Sequence, residues 1–149
     1  MNTRNNTYKL LIHAVLPIML GGLLYILFRS TKLEMFHWAN TLGFRDFLMK
    51  IRGRLINIHL PDWCLYSLPD GLWVYAFAST LIFIWKDDQR KLFLFLTIPL
   101  LLGPGVELLQ LIELFKGTFD VMDLIITSMA FMISIFFNLK INQYENQVC

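Results

Sequence analysis

Five acidic side chains, Asp70, Glu107, Glu113, Asp120 and Asp123, stand in or at the edges of long apolar stretches. An ionisable group in such a setting is costly to desolvate and marks a site by default. Carboxylates gathered in a confined, low-dielectric space repel one another, so they must be protonated, paired with a cation or bound to a metal. Lys116 and the basic residues of 29–66 are available counter-charges. An all-oxygen cluster would suit Mg²⁺ or Ca²⁺ rather than zinc. We therefore expect no cofactor, with a divalent cation at the carboxylates kept as an option. Glu107 and Gln110 are three residues apart and share a helix face, so the Gln110 amide could donate to Glu107 or to a ligand. His13, His37 and His59 do not form a metal set and read as structural or interfacial. Cys64 has no base at motif spacing, and a bridge to Cys149 is not expected because Cys149 belongs to the other end of the molecule.

The elements that hold these residues are set by composition. Of 149 residues, 56% are apolar, 15% aromatic and only 16% charged, against about 25% charged in an ordinary soluble domain. Mean hydropathy is +0.56. These values exclude a disordered chain and argue against a soluble enzyme. A net charge of +2 with no reading module argues against nucleic acid as a partner. What remains is an all-α membrane protein. A spanning helix needs about 20 mostly apolar residues, and four stretches qualify: about 10–28, 68–85, 92–115 and 121–139. The first is read as a retained span, since 25–32 offers no pair of small residues for signal cleavage. The chain is one membrane domain, 1–149, with no repeat or linker.

Between the first two spans, Phe44, Phe47, Leu48, Ile51, Leu55 and Ile58 recur at helical spacing, with Arg45, Lys50, Arg52 and Arg54 largely off that stripe. This pattern predicts a basic amphipathic interfacial helix within about 33–58, lying in the headgroup region or capping the bundle. Phe36, Trp38, Trp63, Tyr66 and Trp73 suit an aromatic belt at the interface.

Four spans put both termini on one side. That side carries Arg4, Lys9, Lys86, Arg90, Lys91 and Lys140, and the other carries Arg29, Lys32, Arg45, Lys50, Arg52, Arg54 and Lys116. The counts are close. Discounting the first loop, whose charges belong to a surface helix, places both termini in the cytoplasm. The same topology sends all five carboxylates to one end of the bundle. Asp70 opens span two, Asp120 and Asp123 open span four, and Glu107 falls towards the far end of span three.

Local chemistry offers plainer roles as well. Ser67-Leu-Pro-Asp70 fits a capping box, with proline in the first turn. Asp120 fits the N-cap of span four, with Asp123 at N3. Gly117 fits the left-handed residue after span three, with Lys116 complementing its last carbonyls. Glu113 reads as solvated. Pro99 and Gly103-Pro104-Gly105 predict a break in span three, with a restarted helix carrying Glu107 in its first turn. Carbonyls freed at that depth must be buried in protein or line a polar cavity.

Glu107-Leu-Leu-Gln110, Lys116-Gly-Thr-Phe-Asp120 and Asp123-Leu124, with Leu68-Pro-Asp-Gly-Leu-Trp73 ahead of span two, resemble the VanZ-like family of small bacterial membrane proteins. The resemblance covers roughly half the chain, spans two to four. It implies site roles for Glu107, Gln110, Asp120 and Asp123, and a tie to the bacterial envelope or its lipids.

The expectation is a bacterial inner-membrane protein with an acidic pocket at one end of the bundle, made by Glu107, Asp123, Asp120 and Asp70 with Gln110. Its partner would be a membrane lipid or lipid-linked headgroup. Two alternatives stay open: a metal-assisted lipid hydrolase or transferase, and a structural subunit whose carboxylates pair with another membrane protein.

Overall fold

The computed structural model describes residues 8–31, 34–55 and 57–148, and the side chains of these except 35 and 140–148. Arg4, Lys32, Cys149 and the Lys140 side chain, which entered the charge and disulfide arguments, lie outside the described residues. All the described elements are helical. In chain order they are α1 (Tyr8–Phe28), α2 (Glu34–Thr41), α3 (Arg45–Leu55), α4 (Asp62–Leu65), α5 (Ser67–Trp85), α6 (Gln89–Leu111) and α7 (Val121–Val148). Four of them are long and apolar enough to cross a membrane: α1, α5, α6 and the stretch Val121–Leu139 of α7.

α5 is the central helix. It packs on α1, α6 and, most extensively, α7. Small side chains permit the approach: Ala76, Ala78 and Ser79 are fully buried. Ala78, Leu81, Ile82, Leu92, Leu96 and Phe131 form the core, and Trp85 stacks on Phe95 with ring centroids 4.9 Å apart. Large apolar side chains such as Phe93, Leu94, Met132 and Phe136 face outward. Only 17% of the most apolar window of α1 and 28% of that of α6 is buried. Apolar exposure on this scale suits hydrocarbon surroundings rather than water.

Both ends of α6 differ from the hydropathy reading of 92–115. The helix starts at Gln89 because Asp88 caps it: its Oδ1 accepts from the Lys91 amide at 3.2 Å, and its Oδ2 pairs with Lys91 Nζ at 3.0 Å. The Lys91 bonds hold the Asp88 carboxyl below the usual carboxylate range. The helix stops at Leu111, well before Gly117. Glu113 takes the left-handed conformation (φ 59°). The Leu114 amide donates to Leu109 O at 2.9 Å and the Glu113 amide to Gln110 O at 3.0 Å. This is a Schellman termination, with a glutamate where glycine is usual. The cap expected at Gly117 therefore falls four residues earlier.

The expected break at Gly103-Pro104-Gly105 is a wide turn instead. Residues Leu101–Gly105 form a π-helical turn and the chain stays helical through it. An i→i+5 ladder tolerates Pro104, because the amide that would serve Leu100 O moves from residue 104, which has none, to residue 105. α1 uses the same device. Its π turn, Leu11–Val15, lies just ahead of Pro17, and the Leu16 amide donates to Leu11 O. Gly103 is fixed by packing: a Cβ there would lie 2.7 Å from Val74 Cγ2.

Residues 34–55 hold two helices, and the apolar stripe falls on the second. α2 and α3 are separated by Leu42-Gly43-Phe44, where Gly43 has φ 75°. Arg52 of α3 ties the segment to the end of α1, with Nη1 donating to Ile26 O at 2.5 Å and Nη2 to Arg29 O at 2.7 Å.

Two substitutions test this account. Gly103→Ala should destabilise the protein by about 1–3 kcal/mol, since Val74 is too stiff to yield. Glu113→Gly should stabilise it by about 0.5–1 kcal/mol by removing the left-handed penalty. Thermal unfolding in detergent, measured by intrinsic fluorescence, checks both signs.

Candidate functional site

A cavity of about 770 Å³ lies between α5, α6 and α7, with Ile18 of α1 on its rim. Asp70 and Trp73 come from the first turns of α5, Glu107 from the turn after the π segment of α6, and Asp123 and Thr127 from the first turns of α7. The rest of the wall is mainly apolar, with Val74, Phe77, Leu102 and Val106 among it. Three carboxylates from three helices thus line one cavity. Asp70 is within electrostatic reach of both Asp123 and Glu107.

The wide turn shapes this chamber. Gly103 and Pro99 line it, so α6 presents backbone and ring where a regular helix would present larger side chains. Val106 and Glu107 follow at once, at the start of the last regular turns of α6.

Each carboxylate is held differently. Glu107 Oε2 accepts from the backbone amide of Asp120 at 3.2 Å, joining α6 to the start of α7. Asp123 Oδ1 is buried with no hydrogen-bond partner among the described residues. Asp70 is not part of a capping box: Ser67 is already inside α5, and no side chain caps that end. Asp120 does what the capping argument expected. Its Oδ1 accepts from the Met122 amide at 2.8 Å, its carbonyl accepts from Leu124, and it is exposed. Neither Asp120 nor Gln110 is among the cavity-lining residues. The Gln110 amide lies against Gly117, where a Cβ would stand 2.5 Å from its Nε2. Glu113 is exposed. No group of three or more His, Cys, Asp or Glu side chains placed to hold one metal ion occurs among the described residues.

Two polar groupings escaped the sequence reading. At the acidic end, Arg29 lies between two rings, its Cζ 5.0 Å from the Tyr25 centroid and 4.5 Å from that of Tyr66. Towards the other end, His13 Nδ1 and the Tyr75 hydroxyl are 2.6 Å apart and join α1 to α5. Close by, Ser79 and Ser134 hydroxyls are 3.0 Å apart, and Asn138 Nδ2 donates to Ser79 Oγ at 3.0 Å and to Ser134 O at 2.7 Å. Ser79, Ser134 and Asn138 are fully buried. The spacing of Tyr75 and Ser79, and likewise of Ser134 and Asn138, four apart, marks a polar face on each helix but not that the two faces meet.

Comparisons with known protein families, with curated proteins and with solved structures give no match. Fold and site together define a class: an all-helical chain with four helices fit to span a membrane and an acid-lined, mainly apolar cavity at one end.

Ser79→Ala should destabilise α5 against α7 by about 1 kcal/mol, because Asn138 loses one acceptor in a dry contact. Ser134→Ala made in that background should cost less than Ser134→Ala alone. A double-mutant cycle of detergent unfolding measures the coupling.

Proposed function

We propose that this chain is an integral protein of the bacterial inner membrane whose cavity binds an envelope lipid or lipid-linked headgroup. The observation that carries the reading is the meeting of Asp70, Glu107 and Asp123 on one otherwise apolar chamber of about 770 Å³. Apolar walls suit an acyl or prenyl chain, and the carboxylates suit hydroxyl or ammonium donors of a headgroup. The buried, unpartnered Oδ1 of Asp123 is an acceptor in want of a donor, as a site waiting for a ligand requires. The motif resemblance to the VanZ-like family points to the same compartment and class of ligand.

In this reading α3 is the interfacial helix, with Phe47 in its first turn and Phe44 just ahead of it exposed and free to enter the headgroup layer. Both termini are cytoplasmic, so the cavity opens at the periplasmic leaflet. Glu107 and Asp123 contact the ligand. Gln110, held against Gly117, supports the loop between α6 and α7 and reaches a ligand only when that loop moves.

Native mass spectrometry of the detergent-extracted protein beside the Glu107→Gln, Asp123→Asn double variant tests this. A lipid adduct is expected on the wild type and not on the folded variant. Identical spectra without a specific adduct would replace this reading with that of a subunit whose carboxylates pair with another membrane protein.

A further inference from the structure

Arg29 and Arg52 lie at the same end of the molecule and are held in opposite ways. Arg52 spends both terminal nitrogens on carbonyls, those of Ile26 and Arg29. Its Cζ also lies 5.2 Å from the Phe36 ring centroid, so Arg52 joins α3 to both α1 and α2. Arg29 has no such partner. Its guanidinium is stacked between Tyr25 and Tyr66, its Nε is buried, and that atom has no hydrogen-bond acceptor among the described residues. Ring contacts engage the faces of a guanidinium and leave its edge donors to other groups. Nor does Asp70 serve them: Asp70 feels the Arg29 charge, yet no ion pair within 4.0 Å joins the two. A rigidly clamped guanidinium with open edge donors is a recogniser of phosphate or carboxylate.

Arg29 is also continuous with the cavity. Tyr25, one of its two rings, packs on Trp73 with centroids 5.7 Å apart. Trp73 lines the cavity beside Asp70. The acidic end therefore carries a cation subsite of three carboxylates and, beyond the Tyr25 and Trp73 rings but within electrostatic reach of Asp70, an anion subsite of one guanidinium. A purely anionic headgroup would meet the repulsion of the carboxylates, and a purely cationic one would leave Arg29 idle. A headgroup with both charges engages both.

We infer that the occupant of this cavity is a zwitterionic phospholipid bearing a free amine, its phosphodiester on Arg29 between Tyr25 and Tyr66 and its ammonium on Asp70, Glu107 and Asp123. This rests on the lipid-binding reading above and specifies its ligand. The acyl chains take the apolar wall of the chamber.

The test uses the full-length protein, delipidated in detergent and offered equimolar phosphatidylethanolamine, phosphatidylglycerol and diacylglycerol with the same chains. Native mass spectrometry reads the bound fractions. Wild type should retain phosphatidylethanolamine about tenfold or more over either competitor, the scale of a charge-assisted hydrogen bond gained or lost. Arg29→Gln should lower phosphatidylethanolamine retention by a similar factor, with helical circular dichroism unchanged. If Arg29→Gln does not fold, the three-lipid preference of the wild type decides alone. Equal retention of phosphatidylethanolamine and phosphatidylglycerol by the wild type overturns the inference. So does a folded Arg29→Gln that retains phosphatidylethanolamine as the wild type does. In that last case, loss of the lipid from Glu107→Gln, Asp123→Asn leaves the cavity reading standing. A wild type that retains none of the three lipids removes both. Displacement of phosphatidylethanolamine by millimolar inorganic phosphate would assign Arg29 to a soluble phosphate and overturn the lipid.

Discussion

Pro104 has no amide hydrogen and stands inside an apolar helix, where no water can take the place of a missing donor. The structure answers with a π turn over Leu101–Gly105. Much of the acidic end depends on that answer. The wide turn keeps α6 helical, so Glu107 arrives on a helix and not on a loop. It brings Gly103 against Val74, which sets the separation of α5 and α6. It also leaves Gly103 on the chamber wall, where a side chain would collide with Val74. A helix broken at the same place would have lost the ladder that aims Glu107 at the start of α7.

The second constraint is charge. Helix ends from all four long apolar helices meet at this end of the molecule: the last turn of α1, the first turns of α5 and α7 and the last turns of α6. Their polar residues sit there because that is where polar residues can be solvated. Yet they are not equivalent. Asp120 is spent on capping, Glu107 is half spent on the Asp120 amide, and Asp123 keeps a buried oxygen without a partner among the described residues. Arg52 is spent on carbonyls, while Arg29 is held by rings alone. The division between satisfied and unsatisfied groups, more than their number, is what separates scaffold from site.

The four long helices and the gathering of carboxylates were legible in the sequence, because both follow from hydropathy and from the parity of four crossings. Helix ends were less so. Leu92 looks like the start of α6 by hydropathy, but Asp88 caps the helix a turn earlier. Gly117 looks like its terminator, but Glu113 adopts the left-handed conformation that glycine usually supplies. The Gly103-Pro104-Gly105 run announced a disturbance without revealing that a wider ladder could absorb it. The apolar stripe that begins at Phe44 falls after Gly43, and α2, ahead of that glycine, had no such signal. Least legible were contacts between residues far apart in the chain. Nothing local to His13 points to Tyr75, nothing near Ser79 points to Asn138, and Tyr66 gives no sign that it covers Arg29. These pairings depend on which faces of α1, α5 and α7 meet, which periodicity alone does not decide when the helices are apolar nearly all round.

The bond from the Asp120 amide to Glu107 has a consequence of its own. The amide belongs to the cap of α7, and the acceptor belongs to the wall of the cavity. Whatever draws on that carboxylate, a proton or a ligand's ammonium group, draws on an oxygen that also tethers the loop between α6 and α7. Any group that draws on Glu107 is therefore thermodynamically linked to the order of residues 112–120, and the linkage is reciprocal. A loop that looks like a mere connection is, through a single shared oxygen, tied to the wall of the chamber.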